Sequence, residues 1–289
     1  MKNSPIANFF SLVKFSHTLF ALPFALIGYF LALEFSVHEF EWLLFVKVIL
    51  CMVFARSAAM AFNRYIDRDI DKANERTAQV REIPKGVISP KAALIFVIIN
   101  AGLFVATTYF INSICFYLSP IALLVVLGYS YTKRFTALCH LILGLGLSLA
   151  PIGAYLAVVG SFAWLPLYFS FAVFFWVSGF DMIYALQDEG FDRKMSLHSI
   201  PVALGAKGTL RLSIFFHLLT AFFILWASYR AEANWLFWLG SLIFIALLGY
   251  QHTLVKHNDL SKVNLAFFTT NGLASVIFSI FVIASFYIG

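Results

Sequence analysis

Charge is scarce in this sequence. Asp, Glu, Lys and Arg make up 12% of 289 residues, against about 25% in a soluble domain. With 62% hydrophobic residues and a mean hydropathy of +0.89, that shortage excludes a water-soluble globule, a disordered chain and a nucleic-acid-binding protein. Cysteine is scarce as well. Cys51, Cys115 and Cys139 stand in apolar runs without a CxxC pair, so neither a disulfide framework nor a zinc site is implied. Histidines are few and scattered, and His252 and His257 have poor spacing for one helical face. None is read as a metal ligand. The formal net charge of +6 needs no acidic partner in a basic membrane protein.

Long apolar runs are plentiful. Segments near 16–35, 42–62, 92–111, 114–131, 140–159, 164–186, 209–229, 235–252 and 265–288 have the length of membrane-crossing helices. The first is too long for a signal-peptide core. Lipid offers the backbone no hydrogen-bond partner, and these runs lack the alternation of barrel strands. The expected fold is therefore all-α: a polytopic membrane protein with nine transmembrane helices in one bundle around a central cavity, a single domain over 1–289. All Lys and Arg residues except Lys47, Arg56 and Arg230 fall in or beside the N-terminus and the connections after the second, fourth, sixth and eighth spans. The positive-inside rule then places the N-terminus and those connections in the cytoplasm and the C-terminus outside, in the cell's inner membrane. Two cytoplasmic loops are long, about 63–91 and 187–209, and are expected to cap the site.

Nine of the fourteen acidic residues lie in or beside these two loops. In NRYIDRDIDKANERT, Asn63, Asp67 and Asp71 are spaced i, i+4, i+8 and would share one helical face, with Asp69 off it. In DMIYALQDEGFDRK, Asp181, Tyr184, Asp188 and Asp192 form a second stripe, with Glu189 off it. The stripes occupy matching helix ends, and Asp67 to Asp188 and Asp71 to Asp192 have equal separation in sequence. Converging carboxylates at a membrane face require positive charge. Magnesium takes one or two carboxylates and completes its shell with water and phosphate oxygens, so two Asp pairs point to Mg²⁺ bridging a diphosphate. Arg64, Arg68, Lys72, Arg76, Arg81, Lys133, Arg134, Arg193 and Lys194 surround the clusters. Individually these can equally be solvated loop charges.

These residues resemble the UbiA-type family of intramembrane aromatic prenyltransferases. Its first motif, N-x3-D-x3-D, matches Asn63, Asp67 and Asp71, and its second, preceded by Tyr, matches Tyr184, Asp188 and Asp192. An Arg seven residues before the Asn is Arg56. RTAQVREIPKG resembles the family's RTANRPLPSG at Arg76, Arg81, Pro84 and Gly86, and YSYTKR resembles its YxxxKR at Lys133 and Arg134. Arg64 departs from a frequent acidic residue and Glu82 from a Pro. KFSHTLFALPFAL and FDRKMSLHSIPVALG resemble the branch usually labelled 4-hydroxybenzoate polyprenyltransferase. Some members of that branch prenylate 1,4-dihydroxy-6-naphthoate on the way to menaquinone instead.

The resemblance implies Mg²⁺-dependent transfer of a polyprenyl group from polyprenyl diphosphate to an aromatic acid in respiratory quinone synthesis. It makes Asp67, Asp71, Asp188 and Asp192, with Asn63, the metal-binding set. Arg76, Lys133 and Lys194 would bind the leaving diphosphate. Tyr184 would face the allylic cation, and Asp188 would also polarise the phenol. Arg56, two helical turns below Asn63, would meet the acceptor's carboxylate; pairing with Asp181 or a helix-end carbonyl is the alternative. Ser148, beside Gly144 and Gly146, either borders the acceptor pocket or belongs to a close helix contact. Pro23, Pro120 and Pro151 are expected to kink spans. A transporter is the rival from another class, but it would place ionisable groups near the bilayer midplane, where Arg56 stands nearly alone.

Overall fold

The computed structural model describes residues 5–13 and 20–288. Within them the protein is helical, with one isolated β-bridge, Lys256–Asp259. A short helix α1 (Pro5–Leu12) precedes α2 (Leu22–Glu34) and α3 (Trp42–Ile66). The first long loop folds as α4 (Arg68–Ala73) and α5 (Glu75–Ala78). Then come α6 (Pro90–Tyr109), α7 (Ser113–Thr132), α8 (Cys139–Val159) and α9 (Trp164–Ala185). The second loop holds a 3₁₀ turn (Leu186–Asp188) and α10 (Glu189–Lys194), and is followed by α11 (Ile200–Arg230) and α12 (Trp235–Leu254). A π-helical turn (Leu265–Thr270) leads into α13 (Asn271–Ser285).

Among the described residues, eight helical segments are long and apolar enough to cross a membrane. The nine expected spans meet these eight plus α2, a shorter apolar helix of 13 residues. The start of the first expected span, and His17 with it, lies outside the described residues. The protein is therefore an integral membrane, all-α bundle. Neighbours along the chain pack in pairs, α3 on α6 and α12 on α13, while α9 is clasped between α8 and α11. Its core is aromatic. Trp176 lies 5.3 Å from Phe24, 5.1 Å from Phe180 and 5.5 Å from Phe244, centroid to centroid.

Small residues let these helices approach. A Cβ on Gly144 of α8 would sit 2.2 Å from Ser178 Oγ and 2.6 Å from the Phe174 carbonyl of α9, so the close contact expected of this stretch is present. Pro120 and Pro151 lie inside α7 and α8, but Pro23 stands in the first turn of α2, where a missing N–H leaves nothing unsatisfied. It starts a helix rather than kinking one. The second loop is shorter than expected, because helix resumes at Ile200. Gly205 interrupts that helix with φ 65° and ψ 175°, a conformation open to glycine and costly to other residues.

Candidate active site

Both aspartate motifs sit where a helix breaks, not along a continuous face. Asp67 caps α3 at φ −87°, ψ 6°, and α4 starts at the next residue. The backbone bonds Asp67 N to Asn63 O (2.9 Å) and Asp71 N to Asp67 O (2.7 Å) span the break, so the i, i+4, i+8 phase survives. The second motif repeats this through the 3₁₀ turn between α9 and α10.

The motifs face each other across a cavity of about 270 Å³. Asn63, Asp67 and Asp71 line one side, Asp181, Tyr184, Asp188 and Asp192 the other, with Lys133, His140 and Tyr129 between. Each motif carboxylate meets a base. Arg134 Nη2 is 3.0 Å from Asp67, Arg81 Nη1 2.6 Å from Asp71, and Lys133 Nζ 2.7 Å from Asp192. Arg76 grips both oxygens of Asp188 and reaches the Tyr184 hydroxyl at 3.1 Å. Asn74 adds a bond to Asp188 Oδ1 at 3.0 Å. Asn63 donates to Asp67 at 2.9 Å and accepts from Arg64 at 3.0 Å.

Two electrostatic consequences follow outside the membrane spans. Burial pushes the Asp67 carboxyl above the usual carboxylate range, against the pull of Arg134. For Arg76, burial works against the charge, but the hydrogen bonds and charge of Asp188 outweigh it and hold the guanidinium above its ordinary value.

The donors suit a hard cation: four carboxylates and an amide oxygen around one cavity. Among the described residues no three His, Cys, Asp or Glu side chains converge on one point. A magnesium ion shared with phosphate and water needs only one or two carboxylates, so a pair on each wall is a sufficient donor set.

Below this charged layer stands Arg56. Its Nε is buried without a hydrogen-bond partner, and no carboxylate among the described residues pairs with it. Asp181 instead bonds His140. Arg56, Met60, Tyr129, Leu143 and Leu147 border a second cavity of about 500 Å³ as well. That cavity is almost wholly apolar and runs between α3, α7 and α8 to Ile111 and Phe162 at the far ends of the helices.

Two expected residues are not brought in. Lys194 is exposed and lines neither cavity, because α10 turns its basic end outward; neighbouring Arg193 pairs with Glu189 at 3.1 Å. Ser148 is buried, bonds the Leu145 carbonyl of its own helix at 2.8 Å and lines neither cavity. Sequence reasoning missed Asn74 and His140 at the site. It also missed the His217–His252 bond (2.7 Å) between α11 and α12. Only tertiary packing unites these groups.

The UbiA prenyltransferase family model matches residues 21–273. A 4-hydroxybenzoate octaprenyltransferase of Aliivibrio fischeri (strain MJ11) is 32% identical over 249 residues, 82% of each chain. Another, from Cupriavidus pinatubonensis, is 28% identical over 80% of this chain and 82% of its own. The apo structure of a UbiA homolog from Aeropyrum pernix K1 is similar with a TM-score of 0.80 at 28% identity, over 94% of this chain and 97% of its own. A UbiA homolog from Archaeoglobus fulgidus bound to GPP and Mg²⁺ shares the fold, with a TM-score of 0.75 at 20% identity over 97% and 100%.

Proposed function

The chain belongs to the UbiA prenyltransferase family, and we propose that it transfers a polyprenyl group from its diphosphate to a ring carbon of 4-hydroxybenzoate, in respiratory quinone synthesis. One observation carries this: two opposed aspartate pairs line a cavity that shares Arg56, Met60, Tyr129, Leu143 and Leu147 with a long apolar one. A prenyl diphosphate has the same division, an anionic head and an apolar tail. Each buried methylene of that tail contributes about 0.8 kcal/mol. The N-terminus and both long loops are cytoplasmic in this reading, the C-terminus lies outside, and the enzyme resides in the inner membrane.

Asp67 and Asp71 on one wall and Asp188 and Asp192 on the other, with Asn63, would hold Mg²⁺. Bound magnesium would neutralise the diphosphate and make it a better leaving group. With the carboxylates in that role, Arg76, Lys133, Arg81 and Arg134 would be free to donate to phosphate oxygens. Tyr184 lines the cavity beside Asp188, and once the Arg76 guanidinium, now 5.4 Å from its ring centroid, turns to phosphate, that ring would face positive charge developing on the allylic carbon. Arg56, lacking a carboxylate partner among the described residues, would receive the acceptor's carboxylate.

The test is to offer the detergent-purified protein geranyl diphosphate, Mg²⁺ and 4-hydroxybenzoate, with EDTA as control, and weigh the products by mass spectrometry. Prenylated hydroxybenzoate, lost with EDTA, is expected. Product from 1,4-dihydroxy-6-naphthoate alone would move the enzyme to menaquinone synthesis. No product from either would overturn the acceptor class.

A further inference from the structure

Asp181, on α9, lies about two helical turns below Asp188 of the following 3₁₀ turn, about 10 Å deeper; 21% of its side chain is exposed, and it lines the cavity. Its Oδ2 is 2.7 Å from Nδ1 of His140, which is buried in the first turn of α8. The other imidazole nitrogen, Nε2, faces the backbone N–H of Ile200 at 3.3 Å. A backbone amide only donates, so Nε2 supplies the lone pair and Nδ1 carries the proton. His140 therefore donates to Asp181, whose Oδ2 is the acceptor. Its second oxygen, Oδ1, has no hydrogen-bond partner among the described residues. Asp188 differs, since Arg76 and Asn74 occupy both its oxygens.

Arg56 stands on the facing helix, seven residues before Asn63 as Asp181 is seven before Asp188. The Tyr129 hydroxyl lies within electrostatic reach of both. Leu143, Val177 and Phe180 make the walls apolar. The lower layer thus offers a cation and a base to a flat acid carrying a carboxylate and a phenol.

Resting on the aromatic-acid reading above, we propose that Asp181 is the general base of the transfer and that His140 is its positioning residue. The allylic C–O bond breaks and its electron pair leaves with the diphosphate. A ring π pair forms the new C–C bond ortho to the phenol, whose proton passes to Asp181 Oδ1. This yields a neutral dienone. The ring hydrogen at the alkylated carbon then leaves as a proton to the departed diphosphate, and Asp181 returns its proton to the oxygen.

Asp181→Asn keeps the shape and removes the base. Its kcat/KM for 4-hydroxybenzoate should fall about 10²-fold or more, while its Kd for geranyl diphosphate with Mg²⁺ stays within twofold of wild type. The discriminating readout is 3-fluoro-4-hydroxybenzoate, whose phenol is more acidic and needs the base less. The ratio of wild-type to variant rate should shrink several-fold with it. An equal defect on both acceptors, or a parallel loss of donor binding, would overturn the proposal.

His140→Phe should show the same acceptor-dependent defect, smaller. His140→Asn, which restores a donor near Nδ1, should recover part of it. If Asp181→Asn does not fold, this pair decides, and equal activity of the two with either acceptor would overturn the role. Failure of wild type to prenylate any aromatic acid would instead overturn the acceptor assignment.

Discussion

Asp67 and Asp188 keep 17% and 14% of their side chains exposed, while Asp71 and Asp192 keep 6% and 0%. Position by position, the two motifs are buried alike. Their counter-charges are not alike. The first motif takes Arg81 from its own loop and Arg134 from the end of α7. The second takes Arg76 from the first loop and Lys133 from the end of α7, while its own Arg193 turns to Glu189. The first loop thus supplies cations to both motifs, and among the described residues no cation of the second loop pairs with either. Matched carboxylates do not make two independent half-sites here. They make one charge-balanced unit, laced together by residues 76, 81, 133 and 134. A change in the first loop should be felt at the second motif, and not the reverse.

The most severe test of the equivalence is Asp67→Asn beside Asp188→Asn. Each should lower turnover about 10²–10³-fold, read as prenylated acid formed per unit time by folded protein. If one variant keeps most of its activity, the positional equivalence breaks.

The asymmetry is probed next by Arg76→Ala. Hydrogen bonds to charged groups are worth about 1.5–3 kcal/mol, so loss of the grip on Asp188 should cost about 10- to 10²-fold in turnover. Arg76→Lys should recover little, since an ammonium cannot reproduce the planar fork. Arg193→Ala, in the second loop, should leave turnover within about twofold. Equal losses in the two loops would remove the asymmetry.

Much of this was legible before the fold was known, for a physical reason. Lipid forces each crossing segment to be both helical and apolar, so α3 and α6 to α9 begin and end within a few residues of the apolar runs. The carboxylates were legible because their spacing survives the helix breaks at Asp67 and Leu186–Asp188. The breaks themselves were not, since i, i+4 spacing fits a straight helix equally well. Lys194 stands outside the cavity lining, and charge beside a motif says nothing about which way a six-residue helix turns. His140, 41 residues from Asp181, and Asn74, 114 from Asp188, carry no local signal. Only the packing of α8 on α9, and of the first loop on the second, brings them to the cavity.

Lys133→Ala separates stability from chemistry. It leaves Asp192 wholly buried without its cation. Breaking a buried pair costs about 3–5 kcal/mol, and the 32% exposure of Lys133 lowers that through solvent screening. Thermal inactivation of the substrate-free protein in detergent should shift down by several degrees. An unchanged midpoint would mean that Asp192 is neutral without its partner. Magnesium with geranyl diphosphate should restore part of the shift, because ligand binding to the folded state alone stabilises it.

The smallest expected effect tests which side of the first motif matters. Asp69 sits between Asp67 and Asp71 in sequence, yet its side chain is 86% exposed and, among the described residues, pairs only with Arg68, at 3.8 Å. A surface pair of that kind is worth between nothing and about 1 kcal/mol. Asp69→Ala should therefore leave turnover within about twofold of wild type and the thermal midpoint nearly unmoved. The contrast with Asp67, two residues away and of identical chemistry, isolates orientation as the variable. A loss at Asp69 as large as at Asp67 would mean that α4 rotates when substrate binds and presents its outer face to the diphosphate. The helix break at Asp67 would then be a hinge, and the first motif would no longer be the static counterpart of the second.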